Sequence, residues 1–145
     1  MKAQLTWKEG MVFTGTSDNQ TVLMDAKSPI GKGSAMTPKE LVVTGLGGCT
    51  AMDVVALLKK HKQAFTGLEI EVDAATSTGV QPMVFTKADI HFKISGDVKP
   101  EIALEAVKLS QTKYCGVSAM LAKAFPIEYH VYLNNTKIGG GHAQF

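Results

Sequence analysis

Alternating hydrophobic and polar residues open the chain. The segments Gln4-Leu5-Thr6-Trp7, Met11-Val12-Phe13-Thr14 and Thr21-Val22-Leu23-Met24 are separated by the turn residues Lys8-Glu9-Gly10 and Ser17-Asp18-Asn19. Short alternating runs joined by such turns are typical of hairpins, so residues 2–25 predict a three-stranded meander. Residues 27–36 contain a proline and two glycines and predict a loop.

A long apolar segment follows a strong helix-start signal. Thr37 can cap a helix, Pro38 suits its first position, and Glu40 completes a capping box. The plainly polar side chains in residues 41–58 are Thr44, Thr50 and Asp53. A helix that is apolar on nearly every side is normally buried, so we predict the central helix of a protein core. The segment falls short of the ~20 apolar residues that a membrane span needs.

The rest of the chain mixes strands and helices. In chain order the pattern predicts strands over residues 67–77 and 82–96, a helix from Pro100 to Lys113, a short helix from Val117 to Phe125, a strand from Ile127 to Leu133, and a loose tail over residues 139–145. Without a repeat or a linker, residues 1–145 predict one α+β domain. Its small antiparallel sheets could not cover a helix buried all round, so we also predict a homodimer.

Composition excludes several classes of protein. The 145 residues carry 15 basic and 13 acidic side chains, a balance that does not suggest a nucleic-acid binder. All the basic residues are lysine, so no guanidinium group is available. The first residues do not resemble a signal peptide, and two cysteines do not make a disulfide scaffold, so we expect a cytoplasmic protein. No phosphate-binding loop is present around Gly31-Lys32-Gly33-Ser34, and we expect no bound cofactor.

The two cysteines are the candidate chemical groups. A free cysteine often only packs in a core, and neither Cys49 nor Cys115 has metal-ligand spacing with a histidine, so we expect no metal. Cys49 follows two glycines, which would let a small ligand approach. Cys115 lies just before a predicted helix, whose dipole would lower the thiol pKa. Cys49 lies roughly 18 Å along its helix from the cap at Thr37, too far for the same effect.

Two motifs resemble those of the OsmC/Ohr family, and within it the YhfA-like branch. They are Thr37-Pro38-Lys39-Glu40-Leu41 through Gly47-Gly48-Cys49-Thr50-Ala51-Met52, and Lys113-Tyr114-Cys115-Gly116-Val117-Ser118, with the cysteines 66 residues apart. The resemblance implies antiparallel sheets wrapped around long central helices in an intertwined homodimer. It also implies reduction of organic or inorganic hydroperoxides in oxidative-stress defence. Cys49 would be the peroxidatic cysteine and Cys115 the resolving one, and a dithiol such as dihydrolipoamide would be the external reductant.

The chain departs from the pattern of peroxidatic family members. Those members pair an arginine with a glutamate after the motif proline, whereas this chain has no arginine and has Lys39 at that position. Glu40 is explained by the capping box, and Gly116 stands where many members have proline. Lys39 is a possible thiolate stabiliser that acts on Cys49 of the other subunit. The alternative is that Lys39 is a solvated first-turn residue.

Two functions stay open at this point. One is a thiol peroxidase, whose activity the missing arginine and glutamate would alter. The other is a non-catalytic binding or redox-sensing protein with an apolar pocket at the dimer interface. Asp53 lies one helical turn after Cys49, where a carboxylate would oppose thiolate formation, and it could instead pair with a lysine or orient a partner.

Overall fold

A computed structural model describes all 145 residues. The strands are β1 Gln4–Glu9, β2 Val12–Ser17, β3 Gln20–Met24, β4 Ala64–Thr76, β5 Phe85–Asp97, β6 Ile127–Leu133 and β7 Thr136–His142. The helices are α1 Pro38–Lys60, α2 Pro100–Leu109, a π-helical turn Ser110–Tyr114 and α3 Gly116–Leu121. This combination of strands and helices confirms the predicted α+β class. The chain divides into two compact units, residues 1–43 and 44–145, and one domain over residues 1–145 stays a prediction.

Residues 1–43 contain the predicted meander. Strands β1, β2 and β3 pair antiparallel in sequence order. The turn between β2 and β3 places Asp18 and Asn19 at positive φ, a conformation that these two residue types tolerate and that suits a two-residue hairpin. The predicted loop follows, and it wraps around Asp25. This buried carboxylate accepts hydrogen bonds from the backbone N–H groups of Ala26 and Ser34.

The capping box at the start of α1 is confirmed. The Thr37 backbone N–H donates to Glu40 Oε2 at 2.7 Å, and the Glu40 N–H donates to Thr37 Oγ1 at 3.2 Å. Lys27 adds an ion pair to Glu40 at 2.9 Å. Glu40 therefore has the structural role that the sequence predicts.

The body of α1 is less buried than its composition predicts. One face is covered, and its buried residues are Leu46, Gly47, Thr50, Val54, Leu57 and Leu58. Val42 and Met52 are exposed, so the single chain does not cover the helix on all sides, and burial all round stays a prediction that depends on the homodimer. The 23-residue helix is also long and apolar enough to cross a membrane by length and composition, contrary to the sequence argument. Core helices of soluble proteins pass the same criterion.

The four-stranded sheet of residues 44–145 has the order β4-β5-β6-β7. Its outer pairs are antiparallel, but β5 and β6 are parallel, which corrects the prediction of purely antiparallel sheets. Parallel neighbours need a crossover connection, and α2, the π-helical turn and α3 supply it. The core contains the fully buried side chains Phe92, Ile90, Ile94, Val107, Val131, Leu58 and Val54.

Residues 139–142 are not a loose tail, because they complete strand β7. The three glycines of this segment allow the strand to pass close to its neighbours. A Cβ at Gly139 would lie 2.6 Å from Leu104 Cδ2, and one at Gly140 would lie 2.5 Å from the Tyr129 carbonyl oxygen. A Cβ at Gly141 would meet the Tyr129 hydroxyl at 2.7 Å. Side chains here would force the strand away from α2 and β6.

Candidate functional site at the two cysteines

The structure brings Cys49 and Cys115 together. Cys49 lies on α1 and is half-buried, whereas Cys115 is the N-cap residue of α3 and is completely buried. Both are free thiols. The two side chains are neighbours, since Cys49 is among the groups that raise the pKa of the Cys115 thiol. One thiol is therefore open to small reagents, and its neighbour is shielded from them.

The backbone holds Cys115 in place on both sides. Its N–H donates to the Ser110 carbonyl oxygen at 3.0 Å, across the π-helical turn. Its carbonyl oxygen accepts from the Ala119 N–H at 2.9 Å, and its Sγ accepts from the Ser118 N–H at 3.3 Å. The sulfur thus has the role that a serine or aspartate oxygen usually has at a helix start.

Burial raises the pKa of the Cys115 thiol above its ordinary value, and the neighbouring Cys49 adds to the increase. The hydrogen bond from Ser118 opposes this effect without overcoming it. The prediction that the α3 dipole makes Cys115 acidic is therefore wrong. The physical reason is that α3 has only six residues, while removal of the sulfur from water strongly disfavours its charged form.

A buried chain of hydrogen bonds adjoins the cysteines. Gln111 Nε2 donates to Thr50 Oγ1 at 2.7 Å, and Thr50 Oγ1 lies 2.7 Å from Ser110 Oγ. Ser110 Oγ donates to Asp53 Oδ2 at 3.0 Å. Thr50, Ser110 and Gln111 are all completely buried. The chain links the α1 turn that carries Cys49 to the π-helical turn that precedes Cys115.

This series of hydrogen bonds shows what Asp53 contacts. Its carboxylate accepts a hydrogen bond from the Ser110 hydroxyl, rather than pairing with a lysine. Sequence reasoning missed Ser110 and Gln111. A signal was available, since polar residues such as Thr50 and Asp53 in an otherwise apolar helix need buried partners.

Lys39 is an exposed residue of the first turn of α1. It is separated from Cys49 by ten residues of the same helix, or about 15 Å, so the two do not meet within one chain. Tyr114, which precedes Cys115 in the sequence, is also exposed. The Lys113 ammonium lies over its ring, 5.3 Å from the ring centroid. The Ser118 backbone N–H donates to the Cys115 sulfur at 3.3 Å, whereas the Ser118 hydroxyl has no hydrogen-bond partner.

Two apolar hollows lie on the surface. One, within residues 1–43, has a volume of about 370 Å³ and is lined mainly by Leu5, Met11, Phe13, Met24 and Pro38. The other lies along α1, has a volume of about 460 Å³, and is lined by Ala51, Met52, Val55, Ala56, Lys59 and Leu68. Met52 and Ala56 lie three and seven residues after Cys49, so they share its helix face.

A cluster of metal-ligand types lies elsewhere, on β5 and β6. Ligand atoms of Asp89, Glu128 and His130 are within 4.8 Å of one another. The Lys87 ammonium bridges the two carboxylates, at 3.2 Å from Asp89 and 3.4 Å from Glu128. The cluster is therefore part of an ion-pair network in which Lys87 contacts both carboxylates, and none of its residues belongs to the cysteine site.

Comparison with known proteins finds a family model and relatives that match most of the chain. The model of the OsmC-like protein family matches residues 31–130, a span that includes both cysteines. The chain is 37% identical to Protein YhfA of Escherichia coli strain K12 over 131 residues, which cover 89% of this chain and 95% of YhfA.

Solved structures have the same fold. An OsmC-like protein from Mycoplasma pneumoniae superposes with a TM-score of 0.80 at 17% identity, covering 91% of this chain and 95% of that one. An organic hydroperoxide resistance protein OsmC from Legionella pneumophila superposes with a TM-score of 0.68 at 14% identity, covering 91% and 97%. At these identities the likeness concerns the fold alone.

Proposed function

Because this chain belongs to the OsmC-like protein family, we propose that it is a thiol-dependent peroxidase that reduces hydroperoxides in oxidative-stress defence. One observation carries the proposal: a partly exposed thiol, Cys49, directly faces a buried one, Cys115. A cysteine-pair peroxidase needs an accessible sulfur to meet the peroxide and a shielded sulfur to complete a disulfide. The hydroperoxide resistance named for the Legionella relative supports the same class of reaction.

The roles of the two cysteines follow from their environments. The Cys49 thiolate attacks the terminal peroxide oxygen, the O–O bond breaks, and the products are a Cys49 sulfenic acid and an alcohol once the leaving oxygen takes a proton. Cys115 keeps its proton because burial raises its pKa, so it does not compete for the peroxide. Its sulfur then displaces the hydroxyl of the sulfenic acid, forming a disulfide and water. An external dithiol such as dihydrolipoamide returns both cysteines to thiols and becomes a disulfide itself.

An organic hydroperoxide suits the site better than an inorganic one. The apolar hollow along α1 includes Met52 and Ala56, which share the helix face of Cys49. A hydrocarbon group bound there would gain about 25 cal/mol for each Å² of apolar surface removed from water. The chemistry requires no bound metal or organic cofactor.

The proposal includes a homodimer. A monomer leaves α1 exposed along one side and leaves large apolar side chains on β1 and β3 in water, and a second copy would cover them. In that assembly Lys39 could supply a positive charge to the partner subunit's Cys49, in place of the arginine that the chain lacks. A lysine would act as a point charge without a bidentate fork.

Single-turnover oxidation tests the peroxidase proposal. Reduced protein is mixed with less than one equivalent of cumene hydroperoxide or hydrogen peroxide, and the products are identified by mass spectrometry. We expect a Cys49–Cys115 disulfide, formed faster with the organic peroxide. Cys115→Ser should stop at a sulfenic acid that dimedone traps, and Cys49→Ser should not react. Oxidation of Cys49 to sulfinic acid without a disulfide, or no reaction at all, would rule the proposal out.

A second candidate is a non-catalytic binding or redox-sensing protein. The apolar hollow of about 370 Å³ within residues 1–43 favours it, since small-molecule pockets are commonly of this size and polarity. The absence of arginine points the same way. A second oxidation experiment, with both the hydroperoxide and dihydrolipoamide in excess, separates the two candidates, because a binding protein would not turn over repeatedly.

A further inference from the structure

The hydrogen-bond chain beside the cysteines runs in one direction. The Gln111 amide donates to Thr50, Thr50 can donate to Ser110, and Ser110 donates to the Asp53 carboxylate. Asp53 has only acceptor atoms when ionised, so it fixes the direction of every hydroxyl before it. If the Ser110 hydroxyl turned towards Thr50, the carboxylate would lose this donor. The chain is thus a rigid connector that is anchored at its Asp53 end.

The connector joins the two elements that carry the cysteines. Thr50 is the residue after Cys49 on α1, and Asp53 is one helical turn further on. Ser110 begins the π-helical turn, and its carbonyl oxygen accepts the backbone N–H of Cys115 at 3.0 Å. The connector therefore joins α1 to Ser110, and the Ser110 carbonyl oxygen is hydrogen-bonded to the backbone of Cys115.

Stability alone does not explain this arrangement. The Gln111 carbonyl oxygen is completely buried and has no hydrogen-bond partner in the chain. A buried acceptor without a partner is costly, and a network selected only for stability would satisfy it or replace it with apolar side chains. The π-helical turn is also a rare conformation that occurs frequently at functional sites.

We propose that Asp53 and Ser110 are positioning residues that hold the π-helical turn, and with it the Cys115 sulfur, in line with Cys49 for disulfide closure. The inference deepens the proposed function, because it concerns the second half of the same catalytic cycle. It needs only the closure step itself. In that step the Cys115 sulfur displaces the hydroxyl of the Cys49 sulfenic acid, so that one S–S bond and one water molecule form.

Closure driven by diamide tests the proposal independently of any peroxide. Diamide accepts the two electrons and two protons and becomes a hydrazine, while the two thiols become the disulfide. The measured quantity is the rate of Cys49–Cys115 disulfide formation in the full chain. The variants are Asp53→Ala, Asp53→Asn and Ser110→Ala. Asp89→Ala is the matched control, since Asp89 is another half-buried carboxylate that lies in the ion-pair network on β5.

Asp53→Ala and Ser110→Ala should slow closure about tenfold or more, because small misplacements of reacting atoms have effects of this size. Asp53→Asn keeps an acceptor for Ser110 and should restore most of the rate. Asp89→Ala should close like the wild type. In Ser110→Ala, which removes no charge, the rate of Cys49 alkylation should stay unchanged, while Cys115 should become measurably reactive in the two alanine variants.

The proposal is overturned if both alanine variants close at the wild-type rate, or if Asp53→Asn is as slow as Asp53→Ala. Circular dichroism identifies any variant that does not fold, and Ser110→Ala then carries the test, because it removes one hydroxyl without removing a charge. If the wild-type disulfide closes with diamide but not with a hydroperoxide, the proposed function fails while the positioning roles stand.

Discussion

The two sheets of this protein differ in the fraction of their residues that is buried. In β6, each residue alternates between fully buried and half-buried, and in β5 the residues Ala88, Ile90, Phe92 and Ile94 are all inaccessible to water. In β1, every residue is exposed, and β3 exposes all but its last residue. Trp7, Leu5 and Leu23 are among the exposed side chains. The alternation of apolar and polar residues thus predicts strands correctly in both sheets, but it does not show which strands are buried.

The difference teaches which part of the chain can stand alone. Residues 44–145 bury a continuous core of their own. The three-stranded sheet of residues 1–43 leaves large apolar side chains in water, and a small sheet needs a covered face to be stable. The proposed second copy of the chain would supply this cover.

The largest expected effect comes from the buried sheet. Phe92→Ala removes a fully buried ring from β5 and should lower the free energy of unfolding by about 3–5 kcal/mol. The matched change Leu23→Ala on β3 should alter it by only about 0.5 kcal/mol at protein concentrations where the chain is monomeric. Urea denaturation followed by circular dichroism measures both. Equal losses would mean that the two sheets do not differ in the way described.

An intermediate effect is expected from the exposed sheet. Trp7→Lys should weaken the proposed dimer by about 2 kcal/mol or more, which is roughly 30-fold in the dissociation constant, because a tryptophan at an interface commonly contributes this much. Thr6→Ala, at the neighbouring, regularly paired residue on the opposite face of β1, is the control. Sedimentation velocity over a dilution series gives the constants. A wild-type chain that stays monomeric at high concentration would contradict the prediction.

The smallest effect is the pH dependence that Cys115 brings to the buried unit. Because its pKa is raised in the folded chain, the folded state keeps this proton at a pH where the unfolded state has lost it. Stability from this group is therefore complete below the unfolded pKa and falls as the pH rises from that value toward the folded one. Thermal unfolding of Cys49→Ser between pH 7 and about 10 should show a decline that Cys49→Ser/Cys115→Ala lacks. Parallel curves would show that burial does not protect the thiol.

Local signals in the sequence predicted local structure well. The meander and the cap of α1 follow from alternation, turn residues and the Thr37–Glu40 pair, all of which act within a few residues. Strand β7 was missed because Gly139, Gly140 and Gly141 have no side chains to alternate. The parallel pairing of β5 and β6 was missed because alternation is the same in both strand directions.

The site was predictable in its position but not in its electrostatics. The motifs located Cys49 and Cys115, and the structure places them side by side. The acidity of Cys115 was predicted with the wrong sign, because a sequence shows that a helix begins there but not that the sulfur is sealed from water. The Asp53–Ser110 bond joins residues far apart in sequence, so no local spacing could reveal it.

The parallel ladder between β5 and β6 also orders the events of folding. Its first pair, Ala88 and Ile127, joins residues about forty positions apart, and closing so long a loop is slow compared with forming a hairpin. Cys115 lies inside that loop, so it can be presented to Cys49 only after much of the chain has been synthesised and the crossover has docked. A nascent chain therefore carries two distant, independent thiols, and it brings them together only as its last strands form.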